Sequence, residues 1–178
     1  TGSDNFTSVK QALDTLNTYG VGDGGVTFRI ASGTYDEPAP LAINPVAARP
    51  NSGNPVTFVV ATGATVVLNI TVAAGQWGIT DSADYVTFDG SNSGGTDRSW
   101  TINVNDATTG YYGMLVFGDN VTIKNIILAL ANPWNTPAQG IVLHQTGASD
   151  NCTVQNCEVT ANHGILIVAW IVSSVRQS

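Results

Sequence analysis

Four aspartates, Asp81, Asp84, Asp89 and Asp97, fall within seventeen residues and form the densest group of hard oxygen ligands in the chain. Ca2+ takes six to eight such oxygens, so this stretch is where the sequence offers a metal, and Ca2+ is the one cofactor it suggests. The same residue type suits turns, because an Asp side chain bonds its own backbone two residues on, and the turn role is the preferred reading. Trp100, Trp134, Tyr111 and Tyr112 (with Trp77) are candidates for stacking on sugar rings, since these side chains offer a flat apolar face with a polar tip; Trp134, between Asn132-Pro133 and Asn135, is the one expected to be exposed. His144 and His163 fall in different registers, which argues against a shared metal. Cys152 and Cys157 have neither zinc spacing nor a second Cys/His pair, and read as two small core residues on opposite sides of a bend. Glycoside hydrolysis needs two carboxylates roughly 5–9.5 Å apart, yet after Asp119 only Asp150 and Glu158 are acidic. No residue is assigned a catalytic role.

The elements that must position these residues follow from composition. Only 11% of the 178 residues are charged while 43% are hydrophobic, and 21 Thr accompany 19 Gly. Soluble domains carry roughly 25% charged residues, and the wet face of a helix needs them, so the chain reads as all-β and rich in turns. A net charge of −7 with only six Lys and Arg excludes nucleic acid as a partner, because phosphate binding needs clustered cations. The longest apolar run, residues 165–172, suits a buried strand and is far short of the roughly 18 residues of a membrane span.

Repeats organise the rest. Val86-Thr87-Phe88-Asp89-Gly90, Val121-Thr122-Ile123-Lys124-Asn125 and Cys152-Thr153-Val154-Gln155-Asn156 align without gaps. Each follows an acidic approach, Asp84-Tyr85, Asp119-Asn120 or Asp150-Asn151. A second signature, Gly78-Ile79, Gly113-Met114, Gly140-Ile141 and Gly164-Ile165, alternates with the first and suggests a period of 22–25 residues, within the range of solenoids. Alternation puts Val121 and Ile123 inside, Thr122 and Lys124 outside. Gly90, Asn125 and Asn156 then share a bend position, where a positive φ favours Gly or Asn, and Asn125 with Asn156 is expected to form an amide ladder along the axis.

At the N-terminal side, Ser8-Val9-Lys10-Gln11 has the form of a capping box, and Val9, Ala12, Leu13 and Leu16 follow at helical spacing up to Gly20. This predicts a helix over 9–18 that plugs the open end of the solenoid. The proline-rich stretch 36–54 reads as a long surface excursion.

The helix, the Val26–Glu37 region (V-T-F-R-I-A-S-G-T-Y-D-E) and the coils built on V-T-F-D-G and V-T-I-K-N-I resemble the right-handed parallel β-helix of the pectin-lyase-like superfamily. The strings F-T-S-V-K-Q-A-L-D-T-L-N (6–17), G-G-V-T-F-R-I-A-S-G (24–33) and D-Y-V-T-F-D-G-S-N-S-G-G-T-D-R (84–98) are similar to β-helix modules of large secreted bacterial surface proteins of the type IX secretion kind. The resemblance implies an all-β, right-handed parallel β-helix with a short N-terminal capping helix. The enzymatic motifs of that superfamily are incomplete here: Asp89 lacks the partner motif of pectin methylesterases, Asn162-His163-Gly164 lacks the carboxylates of polygalacturonases, and the middle coils offer only Lys124, with Arg98 in a loop, where a pectate lyase needs a basic Arg.

The expectation is therefore a single β-helix domain over 1–178, with the helix cap at 9–18 and coils over 24–178, forming an N-terminal portion of a longer protein. Its expected role is a non-enzymatic extracellular structural and adhesive module at a bacterial cell surface. The loops 36–54, 91–99 and 129–139 would contact polysaccharide or other surface proteins, and the open C-terminal end would continue into, or dock onto, another chain. The alternative is a polysaccharide lyase or hydrolase of the same fold whose catalytic residues lie outside this chain.

Overall fold

The structure, a computed structural model, describes residues 6–73, 75–105, 112–131, 138–144 and 149–168. Its first regular element is helix α1 (Val9–Tyr19). Ser8 caps it by accepting the Gln11 amide at 3.0 Å, and Gly20, at φ 75°, ends it by donating its amide to the Leu16 carbonyl. The reciprocal half of the expected capping box is shifted by one residue, because Gln11 Oε1 accepts from the Thr7 amide rather than from Ser8.

Fifteen strands follow, three to a coil. They are β1 (Val26–Ile30), β2 (Gly33–Pro38) and β3 (Leu41–Ile43); β4 (Val56–Val60), β5 (Val66–Thr71) and β6 (Trp77–Asp81); β7 (Val86–Asp89), β8 (Trp100–Asn105) and β9 (Tyr112–Val116); β10 (Thr122–Lys124), β11 (Ile126–Leu130) and β12 (Gln139–His144); and β13 (Thr153–Gln155), β14 (Glu158–Thr160) and β15 (His163–Val168). Like strands stack in parallel into three sheets, β1-β4-β7-β10-β13, β2-β5-β8-β11-β14 and β3-β6-β9-β12-β15. The fold is a parallel β-solenoid of about four turns, as the repeats required.

The register carries the expected motif and extends it. Thr27, Thr57, Thr87, Thr122 and Thr153 stand one above another, so the V-T repeat runs through β1 and β4 as well. On the first sheet the period is 30, 30, 35 and 31 residues and on the third, where the glycines lie, 38, 35, 27 and 24, so the expected 22–25 fits only the last step, because turns of unequal length separate the sheets. Residues 36–54 are also more ordered than a surface excursion. They hold the end of β2, all of β3 and the short helix α2 (Pro45–Ala48). Pro38 is tolerated because β2 is an edge strand, and Pro45 because a first helical position needs no N–H.

Inward columns fill the core. Phe28, Phe58 and Phe88 stack at 4.9 and 5.3 Å with nearly parallel rings, and Ile123 and Val154 continue their column. In the third sheet Gly78, Gly113 and Gly140 each precede an inward apolar residue. A Cβ on any of them would meet the next coil's glycine carbonyl and a side chain of the second sheet, Val104, Leu128 or Val159 respectively. That close approach explains the Gly-apolar signature. α1 lies against the first coil, burying Leu13 and Leu16.

Candidate functional site

The corner leading into the first sheet is turned by residues with positive φ, Tyr85, Asn120 and Asn151. The aspartates just before the first two of these turn their carboxylates toward the next coil. The Asp119 amide donates to Asp84 Oδ1 at 2.8 Å, and the Ser149 and Asp150 amides donate to Asp119 Oδ1 at 2.8 and 2.7 Å. The acidic approach of these repeats is thus a hydrogen-bond acceptor between coils. Sequence reasoning missed this role for Asp119, although its fixed offset before the V-T repeat carried the signal.

The corner leaving the first sheet holds the amide ladder. Asn156 Nδ2 donates to Asn125 Oδ1 at 2.7 Å and Asn125 Nδ2 donates to Asp89 Oδ1 at 2.8 Å, with both asparagines at positive φ. Gly90 shares the bend position but not the positive φ expected of it. Glycine is required there because a Cβ would overlap the carbonyl of Asn125, and Asp89 supplies the first rung. Burial raises the Asp89 pKa, but the bonds from Asn125, the Ser91 amide and Lys124 outweigh it, so the net shift is downward; Lys124 Nζ lies 3.1 Å from its Oδ2.

Asp97 organises loop 91–99. Its carboxylate accepts from the hydroxyls of Ser93, Ser91 and Ser99 and from the Asn92 amide, and these bonds, Ser93 first, hold it well below the usual carboxylate range. The loop so closed delivers Arg98, whose Nε and a terminal guanidinium N–H donate to the Asn156 carbonyl and Oδ1 at 2.8 and 2.9 Å.

Asp81 is different in kind. It is fully buried, Oδ1 accepts the Ala83 amide at 3.1 Å, and Oδ2 has no partner. Burial, reinforced by the charge of Asp84, pushes its pKa up to about 8 against the bond from Ala83. The four aspartates suggested for Ca2+ therefore serve four separate tasks. Among the described residues no three His, Cys, Asp or Glu side chains group as metal ligands.

Of the aromatic candidates, Trp100 is 1% exposed and fills the core, so it presents no face to a sugar; its place in an inward column over Val66 and under Ile126 explains this. Tyr112 is half-buried and stacks on Trp77 at 4.1 Å. Tyr111 and Trp134 lie outside the described residues. His144 packs against Phe117, and His163 pairs in register with Gln139, so the two histidines do occupy different columns. Cys152 and Cys157 are both free and follow the columns of Val121 and Ile126, as expected. Of the loops expected to bind, residues 129 and 130 belong to β11, residue 139 begins β12, and 132–137 lie outside the described residues.

A groove of about 570 Å3 separates α1 from β1, lined by apolar side chains including Phe6, Leu16 and Phe28. Among the described residues its ionisable side chains are Arg29 and the phenols of Tyr19 and Tyr35.

The chain matches no protein-family model, no curated protein and no solved structure. What it can do is read from its own geometry, which includes the outer face of the first sheet. That face carries the five-threonine column beside a second column of Arg29, Val59, Asp89, Lys124 and Gln155.

Proposed function

We propose that this protein is a non-enzymatic structural and adhesive β-helix module of a secreted bacterial surface protein, built on the pectin-lyase-like fold. The observation that carries this reading is what the carboxylates do. Asp84 and Asp119 hold backbone amides of the next coil, Asp89 anchors the amide ladder, Asp97 closes a loop, and Asp81 is sealed in the core. Acid/base cleavage of a polysaccharide needs two carboxylates facing each other across the bond with their lone pairs available, whereas three of these five hold coils together, one closes a loop and one is buried. The same hydrogen bonds suit a stiff spacer. The threonine column supports an adhesive role, because hydroxyls repeated once per coil along a sheet resemble the repeated hydroxyls of an extended polysaccharide, with a neighbouring surface protein as the other class of partner.

The test is a glycan array probed with and without Ca2+, followed by incubation of each bound polysaccharide with the protein and analysis for shortened chains. Binding without shortening is expected. Shortened chains would replace this reading with the carbohydrate-active one, and the lack of any bound glycan would remove its adhesive half.

A further inference from the structure

The first sheet hands over to the second through short corners in every coil but one. The connection is two residues long in the first coil, five in the second, one in the fourth and two in the fifth, but ten in the third, residues 90–99. These ten residues are tied down throughout. Asp97 gathers the hydroxyls of Ser91, Ser93 and Ser99 and the Asn92 amide, and the Ser99 amide closes the base by donating to the Gly90 carbonyl at 2.8 Å. So closed, the loop bonds the corners of other coils in both directions. Downward, in the second coil, Asn92 Nδ2 donates to the Ala64 carbonyl at 2.7 Å and the Asn92 carbonyl accepts the Gly63 amide at 3.2 Å. Upward, the Gly95 carbonyl accepts Asn125 Nδ2 of the fourth coil at 3.3 Å, and the Thr96 carbonyl accepts Asn156 Nδ2 of the fifth at 2.7 Å. Arg98 adds its two bonds to Asn156. A side-chain amide carries two hydrogens, and Asn125 and Asn156 each give one to the rung below and the other to this loop.

We infer that loop 91–99 is a strap that fuses the second to fifth coils into one cooperative unit. The inference is independent of the function proposed above. In a solenoid each repeat contacts only its neighbours, so the stack can open one coil at a time. The strap adds direct bonds between coils that are not neighbours, from the third to the fifth, across 58 and 60 residues of sequence. Opening the fifth coil therefore breaks three hydrogen bonds to the strap besides its contacts with the fourth. Two of the three come from a guanidinium, and bonds from charged donors are the stronger kind. A strap that has lost Asn156 keeps only the 3.3 Å bond to Asn125 above it, so loss of the fifth coil weakens the fourth. The bonds of Asn92 carry the same coupling down to the second coil. Asp97 is a positioning residue here: its bonds lie within the loop, and they fix the backbone that presents Thr96 and Arg98.

Native-state hydrogen exchange on the whole chain, in urea below the unfolding transition, tests the inference. In the wild type the amides of β4, β7, β10 and β13 are expected to exchange through one opening with one urea dependence. Arg98→Met removes two of the three bonds to the fifth coil. The amides of β13 should then exchange roughly 100-fold faster than in the wild type, with a smaller urea dependence, and ahead of those of β4 and β7. Asp97→Ala, which alters no residue that touches another coil through its side chain, should act in the same direction, with circular dichroism reporting unchanged β content in both variants. Thiol labelling gives a second readout. In a Cys157→Ser background the Cys152 thiol, 8% exposed, is reached when the fifth coil opens, and Arg98→Met should speed its labelling by the same factor. A wild type in which β13 exchanges ahead of β10 with a smaller urea dependence, a folded Arg98→Met in which the four strands still exchange together, or Cys152 labelled at the wild-type rate in that variant would each overturn it.

Discussion

Replacing Asp81 with Asn should change how the stability of this protein depends on pH, and by a calculable amount. In the fold the Asp81 carboxyl is desolvated, has one oxygen without a partner, and keeps its proton up to about pH 8; its ordinary value is 3.8. Between those values the folded state holds a proton that the unfolded chain has released, so folding stability falls as pH rises. The slope is about 1.4 kcal/mol per pH unit. From pH 5 to pH 7 the wild type should lose about 3 kcal/mol, and across the whole window roughly 6 kcal/mol; below pH 4 the contribution is fully present, and above pH 8 it is gone. Asn has the shape of the neutral acid, accepts the same Ala83 amide and does not titrate, so Asp81→Asn should match the wild type near pH 4 to within about 1 kcal/mol and exceed it at pH 8. Urea unfolding followed by circular dichroism at pH 5, 6, 7 and 8 measures this. With a urea dependence of roughly 2 kcal/mol per molar, the wild-type midpoint should drop by roughly 1.5 M between pH 5 and 7 relative to the variant. Parallel midpoint curves for the two proteins would refute the argument, because they would mean that Asp81 ionises freely where it stands.

The ladders and the close coil contacts make further predictions. Asn125→Asp puts a carboxylate against Asp89 and removes the donor between them, so it should cost roughly 3–5 kcal/mol at neutral pH and recover in part below pH 4, measured by thermal unfolding at both. Gly140→Ala drives a methyl group into the Gly164 carbonyl and Val159 and should cost about 3 kcal/mol or more in urea unfolding. By the same measurement Gly63→Ala, with open space around it but φ 72°, should cost only about 1–2 kcal/mol. Arg98→Met removes the contacts to Asn156 and should speed hydrogen exchange in residues 152–160 while leaving α1 and the first coil unchanged.

The solenoid is legible in the sequence because it is written in columns. Apolar-Thr-apolar strings at one offset from an acidic pair specify both strand faces and the stacking, and the structure places Thr87, Thr122 and Thr153 in the same column. The amide ladder is legible for the same reason, since Asn125 and Asn156 are the repeat's own bend residues. The chemistry of single residues is not. Nothing local distinguishes Asp81, which is buried, from Asp84, three residues on, which is exposed; the difference is set by Asp81 ending a strand whose last side chain points inward. Trp100 reads equally well as a surface platform or as core, and only its register with Val66 and Ile126 decides. The glycines mark their own column correctly, recurring 35, 27 and 24 residues apart as the strands of the third sheet pair; the single period of 22–25 residues fails because the turns between successive coils differ in length.

The ladders have a polarity that accounts for where the few charges sit. In each step the upper side chain donates and the lower accepts: Asn156 to Asn125, Asn125 to Asp89, and on the second sheet Asn103 to Asn69 and Asn69 to Asp36. An amide both donates and accepts, so it can be repeated without limit, whereas a carboxylate only accepts and a guanidinium only donates. A carboxylate therefore fits the lower end and a guanidinium the upper, and both ladders begin on Asp while Arg98 closes the first at Asn156. Neutral Asn in the middle avoids stacking like charges one coil apart, where each would repel the next. A chain built from such ladders needs charges mainly at their ends, which is a physical reason for a protein with only 11% charged residues in which Asp36, Asp84, Asp89 and Asp119 are bound to its own backbone and amides.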